Sequence, residues 1–121
     1  EIETITIDTL LKEQNINPEE ISLMKMDIEG GEIILVPALK NFLHTYKPPL
    51  FISLHPFYLR QSDIKIVINI LFDIYDNCYY FTDDGNKIFI NRDDVIHSTL
   101  NGGVIVTPSV TTVAGVCFVF E

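Results

Sequence analysis

Basic residues are scarce in this sequence of 121 residues. Eight lysines and arginines stand against 17 aspartates and glutamates, which gives a formal net charge of -9 at pH 7. A protein surface of that sign repels phosphate groups. The composition therefore argues against nucleic acid as a substrate or a partner.

Cysteine and long apolar runs are scarce as well. The two cysteines, Cys78 and Cys117, form no CxxC pair and have no histidine at a zinc-ligand spacing, so no zinc site is predicted. Because cysteine is among the most buried residue types, we expect two buried free thiols and hence a reducing, cytoplasmic location. No apolar stretch approaches the ~20 residues of a membrane-spanning helix, which predicts a soluble protein with no membrane span in this segment.

Short apolar runs alternate with segments of helical periodicity, and no repeat, low-complexity tract or linker divides them. Strands that alternate with helices indicate parallel βαβ units. We therefore predict an α/β fold: half of a doubly wound sheet, mostly parallel, with an antiparallel hairpin at one edge. Extended segments are predicted at 2–7, 22–28, 50–55, 104–106 and 115–120. Helices are predicted at 9–14, at 31–44 and from Ser62 or Asp63 onward. The hairpin is predicted at 79–90, and a loop-rich connection is predicted at 95–103.

The predicted helix at 31–44 contains a proline. Spacings of three and four residues would place Leu35, Leu39, Phe42 and Leu43 on its buried side. Pro37 cannot donate a backbone hydrogen bond inside a helix. The sequence therefore predicts either a late helix start or a kink.

Two of the predicted strands end in ionisable residues. The first ends in Lys25-Met26-Asp27-Ile28-Glu29-Gly30-Gly31-Glu32, and the second ends in His55. Side chains alternate along a strand, so Lys25, Asp27 and Glu29 lie on one side of the first strand. Ligands of open α/β sheets bind beyond the carboxyl ends of the strands. If the two strands are neighbours, Asp27, Glu29 and His55 converge at one rim.

The run from Lys25 to Glu32 resembles the signature K-x-D-x-E-G-x-E of the FkbM-like family of S-adenosylmethionine-dependent methyltransferases. The flanks agree, because Thr6-Ile7-Asp8-Thr9-Leu10 resembles the T-L-D-x-L segment before the signature, and Leu50-Phe51-Ile52-Ser53-Leu54-His55 resembles the strand after it. The resemblance implies a class I methyltransferase (Rossmann-like) fold with S-adenosylmethionine as cofactor. It also implies O-methylation of a sugar or small-molecule hydroxyl, so that the partner is a small-molecule or glycan acceptor.

The family's glycine-rich cofactor loop and the acidic residue that binds the ribose lie upstream of this signature. Residues 1–121 contain neither. We therefore expect residues 1–121 to be a single partial domain, the C-terminal part of a methyltransferase domain whose cofactor-binding half precedes Glu1. We expect this segment to be inactive by itself.

The resemblance assigns chemical roles to the residues at the predicted rim. His55 is the candidate general base for the acceptor hydroxyl, because histidine exchanges protons near neutral pH. Asp27 could orient His55 or the acceptor, or bind the cofactor near its sulfonium. Glu29 could do the same, bind a divalent cation together with Asp27, or brace the glycine turn that follows it. Lys25 is expected to pair with a carboxylate, and Glu32 to be a structural charge in the first turn of a helix.

Other functions are compatible with parts of the pattern. Paired carboxylates at Asp27 and Glu29 are what glycoside hydrolysis requires, but that chemistry usually occupies a complete barrel of ~250 residues. The absence of a cofactor loop leaves a non-catalytic interaction or scaffold domain as an alternative. Asp83-Asp84-Gly85-Asn86 lacks the spaced ligands of a calcium loop, so it is predicted to be a turn. The oligomeric state stays open.

Overall fold

The computed structural model describes residues 3–55, 58–82, 84–100, 104–107, 110–113 and 116–121. Its helices are α1 (Ile7–Glu13), α2 (Glu32–Ala38), α3 (Lys40–Tyr46), α4 (Gln61–Ile74) and α5 (Arg92–Leu100), with a 3-10 turn at Pro18–Glu20. Its strands are β1 (Met24–Met26), β2 (Leu50–Leu54), β3 (Cys78–Phe81), β4 (Lys87–Phe89), β5 (Val104–Thr107), β6 (Val110–Val113) and β7 (Val116–Phe120). The mixed α/β class is as predicted.

Five strands form one sheet in the order β1-β2-β7-β3-β4. Strands β1 and β2 are parallel, with Met24 opposite Leu50. Strand β7 is antiparallel to both β2 and β3, and β4 is antiparallel to β3. It follows that β1, β2 and β3 share one direction, whereas β7 and β4 run the other way. The predicted extended run at 104–106 belongs instead to a separate two-stranded sheet of β5 and β6.

The prediction of a mostly parallel sheet is wrong. In the described part of the chain, β1–β2 is the parallel pair of the five-stranded sheet, and the other neighbouring pairs are antiparallel. The reason is the position of β7, which enters between β2 and β3 and separates two strands that run in the same direction. The alternation of strands and helices correctly predicted that β1 and β2 run in the same direction. It does not reveal that β7, which comes later in the sequence, lies between β2 and β3. The antiparallel hairpin at the sheet edge is confirmed by the pairing of β3 with β4.

One face of the sheet forms the core. Met26, Ile52, Phe118 and Tyr80 share this face and are buried. Helices α2, α3, α4 and α5 contact one another and contribute side chains to the same core cluster. These four helices therefore make a single layer on one face.

The helix predicted at 31–44 is divided at Leu39 into α2 and α3. Pro37 lies near the end of α2, so the predicted kink is a complete break. Val36 takes the place predicted for Leu35 on the buried side: Val36 is fully buried, whereas Leu35 is exposed. Phe42 and Leu43 are buried as predicted.

Helix α5 occupies most of the region predicted to be loop-rich, and that prediction is wrong. Its N-terminus carries a reciprocal cap: the backbone N–H of Asp94 donates to Asn91 Oδ1 at 2.9 Å, and Asn91 Nδ2 donates to Asp94 Oδ2 at 2.7 Å. Val95 is fully buried in the core. An asparagine followed three residues later by an acid is the local signal that could have located this helix. Residues 101–103 lie outside the described ranges.

Replacing Asn91 with alanine is expected to lower the free energy of unfolding by about 1 kcal/mol, because the cap at the start of α5 is lost. Urea unfolding measures the change. Asn41→Ala is the matched control, since Asn41 is exposed inside α3, where alanine is the better helix former. Equal losses in the two variants would contradict the capping role.

Both cysteines are free thiols, and the predicted burial holds for Cys78 but not for Cys117. Cys78 is buried in β3, whereas Cys117 in β7 is half-buried and lies with its sulfur 3.1 Å from the hydroxyl of Ser53. Across the described ranges, none of the helices has the length and apolar character that crossing a membrane requires.

Candidate functional site

The carboxyl ends of β1 and β2 bring two of the predicted site residues together. The two strands are parallel neighbours, so Asp27 and His55, which follow them directly, emerge at the same edge of the sheet. His55 Nε2 lies 3.5 Å from Asp27 Oδ1. The structure thus forms the predicted contact between the ends of the two strands.

Lys25 occupies the outer side of this pair. Its ammonium lies 3.2 Å from Asp27 Oδ2, as expected if Lys25 and Asp27 share one side of the strand. The predicted pairing of Lys25 with a carboxylate is confirmed. The lysine and aspartate side chains are 62% and 41% exposed, so solvent screens the ion pair and it contributes little to stability.

Glu32 lies on the inner side and is completely buried. It is the first residue of α2, and its carboxylate bends back over the preceding loop. Oε2 accepts a hydrogen bond from the backbone N–H of Gly30 at 2.8 Å, and Oε1 accepts one from Ile28 at 3.2 Å. These bonds offset the cost of burying the carboxylate. Bracing of the glycine turn, one of the roles considered for Glu29, is performed by Glu32.

The imidazole of His55 is held between the two carboxylates. Its Nδ1 atom is buried, lies 3.6 Å from Glu32 Oε1, and makes no hydrogen bond within the described structure. Its Nε2 atom faces Asp27 instead. The side chain as a whole is 26% exposed. His55 therefore has one ring nitrogen facing the interior and one on the side of the partly exposed Asp27.

Glu29 is not brought into this cluster. Its backbone is left-handed, with a φ of 49°, and Gly30 follows with a φ of 102°. Two positive φ values in succession end the strand alternation on which the prediction for Glu29 was based. Its side chain is exposed, and within the described residues no hydrogen bond or ion pair joins it to Asp27 or His55.

Tyr58 is a neighbour of the site that the sequence did not indicate. Its backbone N–H donates to the carbonyl of His55 at 3.0 Å, and the two ring centroids are 6.4 Å apart. A Cβ placed on Gly30 would lie 2.7 Å from the Cβ of Tyr58. The close backbone approach expected at the glycine pair is therefore made by a residue from the next loop. No local pattern predicts a contact between segments so far apart in sequence.

Gly30→Ala is expected to lower the free energy of unfolding by about 2–4 kcal/mol, because it combines a left-handed backbone with a collision against Tyr58. Gly85→Ala separates the two effects, since Gly85 has a φ of 80° but nothing within 4 Å of an added Cβ. That control should cost about 1–2 kcal/mol. Urea unfolding compares the two variants, and equal losses would show that Tyr58 does not restrict Gly30.

Metal ligands do not assemble within the described residues, where no group of three histidine, cysteine, aspartate or glutamate side chains could hold an ion. The turn that joins β3 to β4 is closed by backbone bonds from Gly85 to Thr82 and from Thr82 to Asn86. It is thus a turn, as predicted, although Asp83 itself lies outside the described ranges.

An apolar groove of about 550 Å³ lies apart from these residues. It is formed by α1 with the segment before it, the start of β1 and the end of α2. Its lining shares no residue with the cluster of Lys25, Asp27, Glu32 and His55. The groove and the cluster are therefore separate features of the molecule.

Comparison with known proteins gives one match. The family model described as Methyltransferase FkbM domain matches residues 1–88, a span that includes Asp27, Glu32 and His55. Neither the curated proteins nor the solved structures contain a match to this sequence.

Proposed function

Because the chain belongs to the family of FkbM methyltransferase domains, we propose that it acts as part of an S-adenosylmethionine-dependent methyltransferase that modifies a hydroxyl group of a sugar or another small molecule. The observation that carries this proposal is the position of His55. Its Nε2 atom lies beside Asp27 at the rim where β1 and β2 end. A proton acceptor at such a rim is what O-methylation requires of the protein.

The charges at the rim suit the proposed cofactor. When bound, S-adenosylmethionine supplies a methyl group attached to a positively charged sulfur. The carboxylates of Asp27, Glu29 and Glu32 outnumber the ammonium of Lys25 in this part of the molecule. An excess of negative charge stabilises a nearby cation. Asp27, which is partly exposed, is the residue we assign to the sulfonium.

His55 removes the proton that the acceptor loses. As the hydroxyl oxygen forms its bond to the methyl carbon, its proton moves to Nε2 of His55. The electrons of the broken carbon–sulfur bond remain on sulfur, so no oxidant or reductant is needed. A positioned base of this kind contributes about 10²–10⁴-fold to the rate.

The proposal is tested by calorimetric titration of the full-length gene product with S-adenosylmethionine and with the product S-adenosylhomocysteine, whose sulfur carries no charge. Asp27→Asn should weaken binding of S-adenosylmethionine about tenfold, a loss of about 1.4 kcal/mol, and leave binding of S-adenosylhomocysteine unchanged. Asp76→Asn is the control, because Asp76 is exposed in the loop after α4. Transfer of labelled methyl groups to sugars, other alcohols and amines then identifies the acceptor class.

Two results would overturn the proposal. A full-length protein that binds neither compound would not be a methyltransferase of this type, and the non-catalytic scaffold would replace it as the assigned role. Transfer to amines alone would keep the cofactor but reject the hydroxyl acceptor.

A further inference from the structure

The buried Nδ1 atom of His55 lacks a hydrogen bond, and a carboxylate oxygen of Glu32 is placed to accept one from it. Nδ1 has no partner within the described structure, and Glu32 Oε1 lies 3.6 Å away. Oε1 already accepts a hydrogen bond from the backbone N–H of Ile28. A carboxylate oxygen can accept more than one hydrogen bond, so Oε1 retains capacity for a second donor.

The environments of the two ring nitrogens determine which of them carries the proton in the neutral ring. Glu32 is completely buried, so its charge acts on Nδ1 without screening by solvent. Asp27 is 41% exposed and is paired with Lys25, which weakens its effect on Nε2. If Nδ1 were unprotonated, its lone pair would point toward the buried carboxylate. Nδ1 and Glu32 Oε1 would then both be acceptors, with no hydrogen between them. The stronger, buried contact therefore favours a proton on Nδ1.

We propose that Glu32 is a positioning residue that holds neutral His55 in the Nδ1–H form and leaves the Nε2 lone pair at the rim. Only the role of Nε2 in methyl transfer rests on the proposed function, because the placement of the proton follows from the contacts of the ring. The carboxylate also stabilises the positive charge that His55 acquires when Nε2 takes the proton of the acceptor hydroxyl.

The backbone bonds of Glu32 determine the choice of test variant. Removing the carboxylate altogether would leave the N–H groups of Ile28 and Gly30 unpaired, and the loop could fail to fold. Glu32→Gln keeps the length of the side chain and one carbonyl oxygen for the backbone. Its amide group can donate a hydrogen bond to Nδ1, where a carboxylate can only accept one, and this favours the Nε2–H form.

Long-range ¹H–¹⁵N NMR of the full-length gene product reports the protonation of each ring nitrogen. In the wild-type protein, neutral His55 should show Nδ1 protonated and Nε2 unprotonated, and Glu32→Gln should switch the two signals. Asp27→Asn is the matched control, and it should leave the wild-type pattern in place. A wild-type His55 protonated at Nε2 would overturn the proposal, as would a Glu32→Gln variant that keeps the Nδ1–H pattern.

Kinetics distinguishes failure of this inference from failure of the proposed function. Glu32→Gln should lower kcat by at least about tenfold with little change in KM, because it removes the available base without removing a binding contact. If the NMR pattern is as expected but the full-length protein transfers no methyl group, the positioning role stands and the proposed function falls. If methyl transfer occurs and the wild-type pattern is reversed, the proposed function stands and the positioning role falls.

Discussion

His55→Asn is expected to lower the rate of methyl transfer by the full-length protein about 10²–10⁴-fold. Asparagine keeps a polar side chain between Asp27 and Glu32 but has no nitrogen that can take up a proton in the pH range where histidine does. Binding of S-adenosylmethionine should be unchanged, because the residue assigned to the sulfonium is Asp27. The variant should therefore have a lower kcat and an unchanged affinity for S-adenosylmethionine.

The control for this variant is His44→Asn. His44 is exposed on α3, and the same exchange there removes an imidazole without changing the rim. Thermal unfolding of both variants shows whether the fold survives. A stable His55→Asn protein with wild-type kcat would mean that His55 is not the base, even though it lies 3.5 Å from Asp27.

Raising the pH from about 9 to 12 is expected to lower the free energy of unfolding by at least about 2–3 kcal/mol. Burial raises the pKa of Tyr75 from 10.0 to about 12. Burial also raises the pKa of the Cys78 thiol. Both groups are acids that stay protonated in the folded protein after the unfolded chain has begun to ionise.

The direction of the change follows from proton binding. Between the unfolded and folded pKa values, the unfolded chain binds fewer protons than the folded one, so stability falls as the pH rises. The contribution of Tyr75 is complete below about pH 10 and is lost progressively toward about pH 12, a loss of about 2–3 kcal/mol. Ionisation of Cys78 begins to reduce stability at lower pH, because an unperturbed thiol has a pKa near 8.5.

Substitutions separate the two contributions when unfolding by urea is measured at about pH 8, 10 and 12. Tyr75→Phe should flatten the change above about pH 10. It should also cost about 1–2 kcal/mol at neutral pH, because the Tyr75 hydroxyl donates to the carbonyl of Pro48 at 2.7 Å. Cys78→Ala should remove the earlier part of the change. Tyr46→Phe is the control, since Tyr46 is exposed on α3. A Tyr75→Phe protein with the wild-type pH dependence would contradict the assignment.

Local patterns predicted the elements that depend on neighbouring residues. The β3–β4 hairpin forms around Gly85, whose φ of 80° is easily adopted only by glycine, and the final strand lies where apolar β-branched residues indicated it. Helix α5 shows the limit of this approach. Its cap is local, but the burial of Val95, which anchors the helix, depends on contact with the core.

The amino-acid sequence by itself determined the family, the mixed α/β class and the presence of Asp27 and His55 at the ends of successive strands, because signatures, alternation and turns are properties of short segments. Only the tertiary structure decided that β7 separates β2 from β3, that helices α2 to α5 form one layer, and that Glu32 rather than Glu29 faces His55. Strand β7 pairs residues as distant as Leu50 and Phe120, and the contact between Glu32 and His55 joins the start of α2 to the residue that follows β2. Such choices depend on the burial that the whole chain achieves together, which no short segment specifies.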